Sequence, residues 1–396
     1  MSGVQIPQRS HCGRRRFKTL ATERGQAEKV GVSFKDIKKT ALWYNSRMVV
    51  VFLARLFYPH IGGVEKHILE ISKILLKKNY KVVVFTEQHD PKLKCCETIE
   101  GISVYRFSVG KNDWFKKFRI WREIWKNRDI IKKADLIHVH DVFFWYLPFR
   151  FLYSMKPIFT TFHGYEAKFP PSKKAILVRK ISEKLSRGNI CVGDYIRKWY
   201  GTIPTFITYG GVNVGKSQIS NLKSQIHNSK LKILFIGRIE EDTGVLIYLK
   251  ALELLRQEKI EFEFEACGDG SLRREVERYG KVNGFAEELD NYFKDSDIVF
   301  ASSYLSIFEA MKHKKLVFAV YNNPLKKDYL KMSPFEKWIV IENSPEKIAE
   351  KIKYFVKHQK KKNKIVNRAC EWVKTQTWNR VADEYLNLWH SNDAYH

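Results

Sequence analysis

The feature that most constrains the fold is a regular alternation between apolar, strand-like segments and helical segments, which starts at Met48. Strands that alternate with helices are typical of parallel β-sheets, because parallel strands need the long crossover connections that helices provide. The sequence therefore predicts an α/β fold, with a helix over Val64–Lys77 between the first two strands. The strands predicted in the first half of the chain are Met48–Ala54, Lys81–Phe85, Ile102–Phe107, Leu136–Val139, Ile158–Phe162 and Ile190–Val192.

The length and a break in this pattern indicate two domains. The chain has 396 residues, which is more than a single hydrophobic core usually accommodates. The alternation stops near Tyr209–Asn213 and restarts at Leu231, and after Ser344 the pattern is helical. The division that follows is a basic extension at 1–47, expected to be disordered, a first domain at 48–212, a second domain at 213–376 and a terminal helix at 377–396.

The formal net charge of +28 limits the classes of partner. A strongly basic chain usually binds phosphate-rich ligands, nucleic acid or an anionic membrane surface. The positive charge is spread over the whole chain, and no RNA- or DNA-binding motif is visible. Nucleic-acid binding is therefore the least favoured of the three and remains only as an alternative to an enzyme.

The composition favours a cytoplasmic protein. No uncharged apolar run approaches twenty residues, so no membrane-spanning helix is expected. The six cysteines have no metal-binding or redox spacing, and we interpret them as reduced thiols. We expect a cytoplasmic location, which leaves room for a peripheral role at the inner face of the cell membrane.

The segment from Phe300 to Met311 carries the most specific chemistry. A predicted strand (Asp297 to Ala301) ends in two serines, and a helix follows that carries the carboxylate of Glu309. Hydroxyls and unpaired backbone N–H groups at a helix N-terminus suit phosphate, and a carboxylate further along suits a ribose diol. The alternative is an ordinary strand–helix unit with a solvated glutamate.

A second segment upstream favours the phosphate interpretation. The apolar strand Lys232–Gly237 is followed by Arg238, an acidic loop, and Thr243 at the start of an apolar-periodic helix. The next predicted strand ends in a Gly-x-Gly turn at Gly268–Gly270.

These motifs, in this order and spacing, resemble those of retaining glycosyltransferases with the GT-B fold, often grouped as family 4 or glycosyltransferase group 1. The resemblance covers about residues 48 to 390. It implies two Rossmann-like domains facing each other across a cleft, with the terminal helix crossing back to the first. It also implies transfer of a sugar from a nucleoside-diphosphate sugar to a glycan or lipid-linked acceptor, with retention and without a metal or other cofactor.

The resemblance also implies roles for individual residues. His163, which follows the strand Ile158–Phe162, would lie beside the transferred sugar, Arg238 would hold the diphosphate and Glu309 the ribose; these are the expected catalytic residues. His67, near the start of the first helix, is expected on the helix surface. The expected donor-binding residues are Gly62, Gly63, Gly237, Arg238, Thr243, Gly268, Ser303, Tyr304, Leu305, Ser306 and Glu309.

The acceptor side is expected at His138, His140, Asp141 and Tyr165. Alternation along a strand sends His138 and His140 to one face, which suggests a metal site, but no third ligand cluster follows. Asp295-Ser296-Asp297 fits the letters of an Asp-x-Asp metal motif and is interpreted as a cap and turn before a strand. We therefore expect no metal site.

Two departures from the family pattern leave an alternative open. Ala301 stands where the first glutamate of the family's Glu-x7-Glu motif is counted, and Thr243 stands at the position of a loop lysine. Loss of both groups allows a degenerate protein that binds a sugar nucleotide or glycan without turnover.

An aromatic stripe in residues 114–133 has two interpretations. Trp114, Phe118, Trp121 and Trp125 recur at helical spacing, and basic residues lie mostly beside them. The stripe is either a core face that packs on the sheet or the face of a helix lying in an anionic membrane interface.

Overall fold

A computed structural model describes residues 48–110, 113–164, 169–214, 230–286 and 288–391. These residues form two sheets, one of eight strands and one of six, each packed against helices. This is the α/β architecture that the alternation predicts, with the two Rossmann-like domains that the resemblance implies. The extension at 1–47 and the acceptor-side candidate Tyr165 lie outside the described residues.

The first sheet has the order β3-β4-β2-β1-β5-β6-β7-β8, and only the β3–β4 pair is antiparallel. Its central strands are buried on both faces, as continuous apolar runs in parallel sheets are. The strands are β1 (Val49–Ala54), β2 (Lys81–Glu87), β3 (Cys96–Ile99), β4 (Ile102–Phe107), β5 (Leu136–His140), β6 (Ile158–Phe162), β7 (Gly188–Val192) and β8 (Phe206–Thr208).

Amphipathic helices cover this sheet. The first of them buries Ile68, Ile71 and Leu75 at helical spacing against the sheet. The helices are α1 (Gly63–Lys77), α2 (Lys116–Lys126), α3 (Arg128–Lys133), α4 (Phe143–Leu152), α5 (Lys173–Leu185) and α6 (Tyr195–Tyr200).

The second sheet is parallel throughout, in the order β11-β10-β9-β12-β13-β14. Its strands are β9 (Leu231–Ile236), β10 (Phe262–Cys267), β11 (Lys281–Val282), β12 (Ile298–Phe300), β13 (Leu316–Val320) and β14 (Val340–Glu342). The helices that follow β8 are α7 (Val245–Gln257), α8 (Arg273–Glu277), α9 (Asp290–Asp295), α10 (Tyr304–Lys312), α11 (Pro324–Lys331), α12 (Pro345–Lys357), α13 (Gln359–Lys374) and α14 (Trp378–His390).

The last helix packs on the first sheet. Trp378, Tyr385 and Trp389 of α14 are buried in the same core as residues of α1, β1 and β2. Just before α14 begins, the Val212 backbone N–H donates a hydrogen bond to the Gln376 carbonyl at 2.8 Å. The core of the first domain is therefore completed by the last described residues of the chain.

The aromatic stripe is not a core face, so that interpretation is wrong for three of its four members. Trp114, Phe118 and Trp125 are exposed, because Ile120 and Ile124 supply the buried face of α2. In the described part of the chain, no helix combines the length and the apolar character needed to cross a bilayer.

Candidate active site

The loops that follow β9, β12 and β13 meet at one edge of the second sheet, since these strands are parallel neighbours. Ligands of open α/β sheets bind at such carboxyl edges. Gly268, which follows β10, lies against the first of these loops: a Cβ on it would be 1.8 Å from the Gly237 carbonyl oxygen. Its φ of +153° also lies in the region that favours glycine. These two predicted donor-site glycines therefore allow two loop backbones to touch.

Arg238 is the exposed cation of this edge. Its side chain is 59% accessible and forms an ion pair with Asp242, with 2.7 Å between Nη2 and Oδ2. The Thr243 hydroxyl turns inward, within hydrogen-bonding distance of the carbonyl oxygens of Arg238 (3.0 Å) and Glu240 (2.7 Å). Thr243 thus closes the loop and adds no charge to it.

The start of α10 divides into exposed and buried parts. Ser303 and Ser306 share a 2.6 Å hydrogen bond between their hydroxyls at the helix start. Tyr304 is buried, its N–H donates to the Tyr329 hydroxyl at 2.9 Å, and the two rings stack with centroids 3.9 Å apart. Leu305 faces the first domain, with its Cδ1 3.9 Å from the Cβ position of Gly63. The serines are therefore the members of this predicted set that remain available to a ligand.

Glu309 lies at the junction of the two domains. Its side chain is 15% accessible, and its Oε1 lies 3.0 Å from the Nζ of Lys66 on α1. The Nζ of Lys312 lies 3.7 Å from the other carboxylate oxygen. A ribose diol that binds Glu309 would share this carboxylate with the ammonium groups of Lys66 and Lys312. The contact of Lys66 with Glu309 was not predicted from the sequence.

The Gly62–Gly63 turn brings backbone close to α10. Gly62 is the N-cap of α1 in an extended conformation, and the Glu65 carboxylate folds over it, 2.2 Å from the Cβ position of Gly62. A side chain at Gly62 would displace that carboxylate, which also pairs with His60 at 3.2 Å. The turn therefore presents bare backbone to the second domain.

Four histidines of the first domain form a cluster, in which His67, His138 and His140 are buried and His163 is half-buried. His140 and His163 share a 2.8 Å hydrogen bond between Nδ1 and Nε2, and His138 bonds through Nε2 to the Thr161 hydroxyl at 2.7 Å. His67 is also buried, so its expected surface position is wrong. Its Nε2 lies 2.9 Å from the Tyr385 hydroxyl, because α14 covers this face of α1.

Burial keeps these histidines neutral. It lowers the pKa of His67 to about 3, and it lowers the pKa values of His138, His140 and His163 well below their usual range. Repulsion between the neighbouring imidazoles lowers the last three pKa values further. At neutral pH, His163 is therefore an uncharged hydrogen-bonding group.

Asp141 holds the turn that carries His163. Its carboxylate accepts the His163 backbone N–H at 3.1 Å and lies 3.8 Å from Nη1 of Arg179. The same guanidinium donates to the Gly164 carbonyl. Arg179, on α5, is a second residue of this region that the sequence did not predict.

The residues of the two metal-like sequence patterns can be placed in the structure. Among the described residues, no group of three or more His, Cys, Asp or Glu side chains is placed to hold a metal ion. Asp297 accepts the Lys232 backbone N–H at 3.0 Å, where β9 and β12 begin. This aspartate therefore lies at the amino edge of the sheet, opposite Arg238.

Two family descriptions match the chain. Residues 61–214 match Glycosyltransferase Family 4, and residues 218–372 match Glycosyl transferases group 1. An uncharacterized glycosyltransferase of Methanocaldococcus jannaschii is 22% identical over a 353-position alignment that covers 83% of this chain and 95% of that protein.

Solved structures share the architecture. Sucrose-phosphate synthase from Thermosynechococcus elongatus superposes with a TM-score of 0.69 at 15% identity, over 88% of this chain and 100% of that one. Anabaena HepE, solved in complex with UDP and glucose, superposes with a TM-score of 0.64 at 15% identity, over 86% of this chain and 100% of that one. With both halves of the chain matched in sequence and the two-domain fold matched in structure, this chain belongs to the group 1 glycosyltransferases of the GT-B fold.

Proposed function

We propose that the enzyme transfers a sugar from a nucleoside-diphosphate sugar, with retention at the anomeric carbon and without a metal ion. The observation that carries the proposal is that the Arg238 loop and the start of α10 follow two neighbouring parallel strands, with Glu309 further along α10. The complex of the similar Anabaena protein with UDP and glucose supports a nucleotide sugar as the donor.

Diphosphate binding is assigned to a cation and a helix terminus. The Arg238 guanidinium can donate two parallel hydrogen bonds to phosphate oxygens. The first turn of α10 adds backbone N–H groups without helical partners and the positive end of the helix dipole. As the bond to the sugar breaks, negative charge grows on the leaving diphosphate, so these groups stabilise the transition state more than the bound donor. In this way they supply the stabilisation that a cation gives in metal-dependent transferases.

The ribose and the sugar are assigned to two other groups. Glu309 accepts hydrogen bonds from the ribose diol, which requires Lys66 to share the carboxylate or move away. His163, neutral and fixed through Asp141 and His140, lines the site of the transferred sugar. A neutral imidazole there can accept or donate a hydrogen bond to a sugar hydroxyl without introducing charge.

A screen of sugar nucleotides in the presence of EDTA tests this function. We expect at least one nucleoside-diphosphate sugar to raise the melting temperature and to be hydrolysed slowly, with both effects unchanged by EDTA. Loss of turnover on chelation, with recovery in magnesium or manganese, would overturn the metal-free mechanism. Absence of any stabilisation or hydrolysis across the panel would contradict the donor assignment.

We further propose a glycan or lipid-linked acceptor presented at an anionic membrane surface, with the enzyme peripheral to its cytoplasmic face. Acceptor binding is assigned to the first domain, beside partly exposed Asp141, whereas His138 and His140 are buried and act there only through their neighbours. His138 is held between Thr161 and the Trp389 indole N–H at 3.0 Å, so its part is to position its neighbours.

An exposed aromatic surface supports the membrane assignment. Trp114 is 72% accessible, Phe118 46% and Trp125 48%, and Phe115 and Phe144 extend the same surface. The ring contacts run from Phe115 through Phe118 and half-buried Trp121 to Phe144. Exposed aromatic rings of this number usually mark an interaction site.

Basic side chains lie beside this aromatic surface. The Lys117 ammonium is 3.8 Å from the centroid of the Trp114 ring, and Arg128 is 5.2 Å from that of Trp125. Arg122 and Lys126 are exposed on the same helix. Aromatic rings with a basic flank suit the interface of an anionic bilayer, where rings enter the headgroup region and cations stay at phosphate level.

Replacing Trp114 and Trp125 with serine is expected to abolish sedimentation with vesicles of phosphatidylcholine and phosphatidylserine. Wild-type binding should weaken as salt rises, because charge attraction is screened within about 8–10 Å at physiological ionic strength. Since both side chains are exposed, the melting temperature of the double variant should equal that of the wild type. The matched control is Phe285→Ser, an exposed aromatic of the second domain. Unchanged sedimentation of the double variant would contradict the membrane assignment.

A further inference from the structure

A buried lysine lies beneath the sheet edge at which Arg238 and the start of α10 meet. Lys326, the third residue of α11, donates from its Nζ to the Ser302 carbonyl at 2.6 Å. The ammonium also lies 4.1 Å from the centroid of the Tyr329 ring, and the Tyr304 ring stacks on that same tyrosine at 3.9 Å. The Lys326 amino group is therefore held close to the first turn of α10.

The hydrogen bonding of this ammonium is incomplete. A lysine ammonium has three N–H donors, and among the described residues Lys326 forms one hydrogen bond, to Ser302. Its relative accessibility is 7%, so water compensates little. A buried cation with unused donors is unfavourable unless an anion or acceptor completes its shell. The arrangement therefore points to an anionic ligand.

The three loops of the sheet edge are connected around this position. The backbone N–H at the end of β13 donates to the Ser302 hydroxyl at 3.2 Å. In the loop between β13 and α11, the Asn322 amide lies 3.4 Å from the Glu241 carbonyl oxygen of the Arg238 loop. Lys326 thus belongs to the same small region as the predicted diphosphate groups, although it lies far from them in sequence.

The electrostatic surroundings of Lys326 are mixed. Burial lowers its pKa to about 7; Asp242 raises the pKa and Arg238 lowers it, and both belong to the loop after β9. Burial raises the pKa values of Tyr248 and Tyr304, so these neighbours stay neutral near pH 7 to 8. The titratable and charged groups that surround the ammonium are Asp242, Arg238, Tyr248, Tyr304 and Tyr329.

We propose that Lys326 binds the diphosphate of the donor together with Arg238, and so supplies the positive charge that the loop lacks at Thr243. This inference rests on the proposed function, because it takes the sheet edge to be a diphosphate site. The two unused N–H groups of Lys326 would donate to phosphate oxygens from below the α10 terminus. Because a bound anion favours the charged ammonium, diphosphate binding takes up a proton above neutral pH.

Titration calorimetry at pH 8, in buffers of different ionisation enthalpy, measures the number of protons taken up on diphosphate binding. The probes are uridine, guanosine and adenosine diphosphates, whose own phosphates (pKa about 6) are already ionised at this pH. We expect wild-type protein to take up roughly half a proton or more per diphosphate bound. Lys326→Met should remove the uptake and weaken binding about 10- to 100-fold at pH 7. The matched control is Lys327→Met, an exposed neighbour on the same helix, which should match the wild type.

The remaining outcomes separate this inference from the proposed function. If Arg238→Ala weakens binding while Lys326→Met changes neither affinity nor proton uptake, the lysine is only structural and the proposed function stands. If no diphosphate binds the wild type, both proposals fail. Should Lys326→Met not fold, the wild type alone decides, since absence of proton uptake at pH 8 overturns the inference. Lys326→Arg, which is always charged, should bind without uptake.

Discussion

Replacing Arg238 with alanine is expected to lower the turnover number of sugar transfer by about two to three orders of magnitude. Arg238 is the exposed cation at the edge where the α10 terminus lies, and its only ion pair within the described residues is with Asp242. Negative charge on the leaving diphosphate increases as the bond to the sugar breaks. Loss of the guanidinium therefore raises the energy of the transition state more than that of the bound donor.

Steady-state kinetics with the donor found in the screen measure this effect. The matched control is Arg368→Ala, an exposed arginine of α13, which should keep the wild-type turnover number. Affinity for the diphosphate should fall in Arg238→Ala, whereas affinity for the free nucleoside should not. A variant with wild-type turnover and wild-type diphosphate affinity would show that Arg238 is not part of the donor site.

Acid should destabilise the protein strongly, because the buried histidines are neutral when folded. In the unfolded chain each histidine titrates near its ordinary value of about 6.5, while burial lowers the pKa of His67 to about 3 and those of His138, His140 and His163 well below the ordinary value. Below pH 6.5 the unfolded state thus binds more protons than the folded state. Stability is complete above that pH and is lost as the pH falls toward the folded pKa values.

Urea unfolding at pH 7.5, 6.5 and 5.5 measures this loss. Each histidine that stays neutral contributes about 1.4 kcal/mol per pH unit well below pH 6.5, so four of them lower the unfolding free energy by roughly 5 kcal/mol between pH 7.5 and 5.5. His67→Gln, which retains a hydrogen-bonding group for Tyr385, should reduce that loss by about 1.4 kcal/mol. Stability that stays constant down to pH 5.5 would contradict a neutral, buried cluster.

Much of the fold could be predicted because its signal is local. Apolar runs predicted the central strands, and the observed ends of Ile102–Phe107 and Ile158–Phe162 agree with the prediction. Strand β3 was not predicted, because Cys96–Ile99 is antiparallel and its side chains are exposed or half-buried. Strand β8 has only three residues, which is too short for a periodic pattern.

The candidate site could be predicted only where its residues follow strands. Arg238, Glu309 and His163 belong to strand–loop–helix segments. The order of the elements therefore predicted that these segments follow the carboxyl edge of a sheet. Lys66 and Lys326 could not be identified in that way, because each meets the site through folding of distant segments. Lys66 and Glu309, for example, are 243 residues apart in the sequence.

Contacts between distant segments also explain the wrong predictions at buried side chains. A helix surface was expected at His67, but sequence periodicity on α1 cannot reveal that α14 covers this face. The start of α10 was taken as a set of equivalent ligand contacts, yet Tyr304 is held by Tyr329 of a following helix. Tertiary packing, which local patterns do not encode, decides these positions.

The position of α14 has a consequence for the order in which the chain can fold during synthesis. Strand β8 completes the first sheet at Thr208, but the side chains of Trp378, Tyr385 and Trp389 that cover one face of it are translated about 170 residues later. At typical elongation rates of about 5–20 residues per second, that delay lasts roughly 10 to 35 seconds. During this time the nascent first domain exposes an apolar face, to which chaperones can bind, while the second domain is still being made. Folding of the first domain is therefore completed only after the whole second domain has been translated.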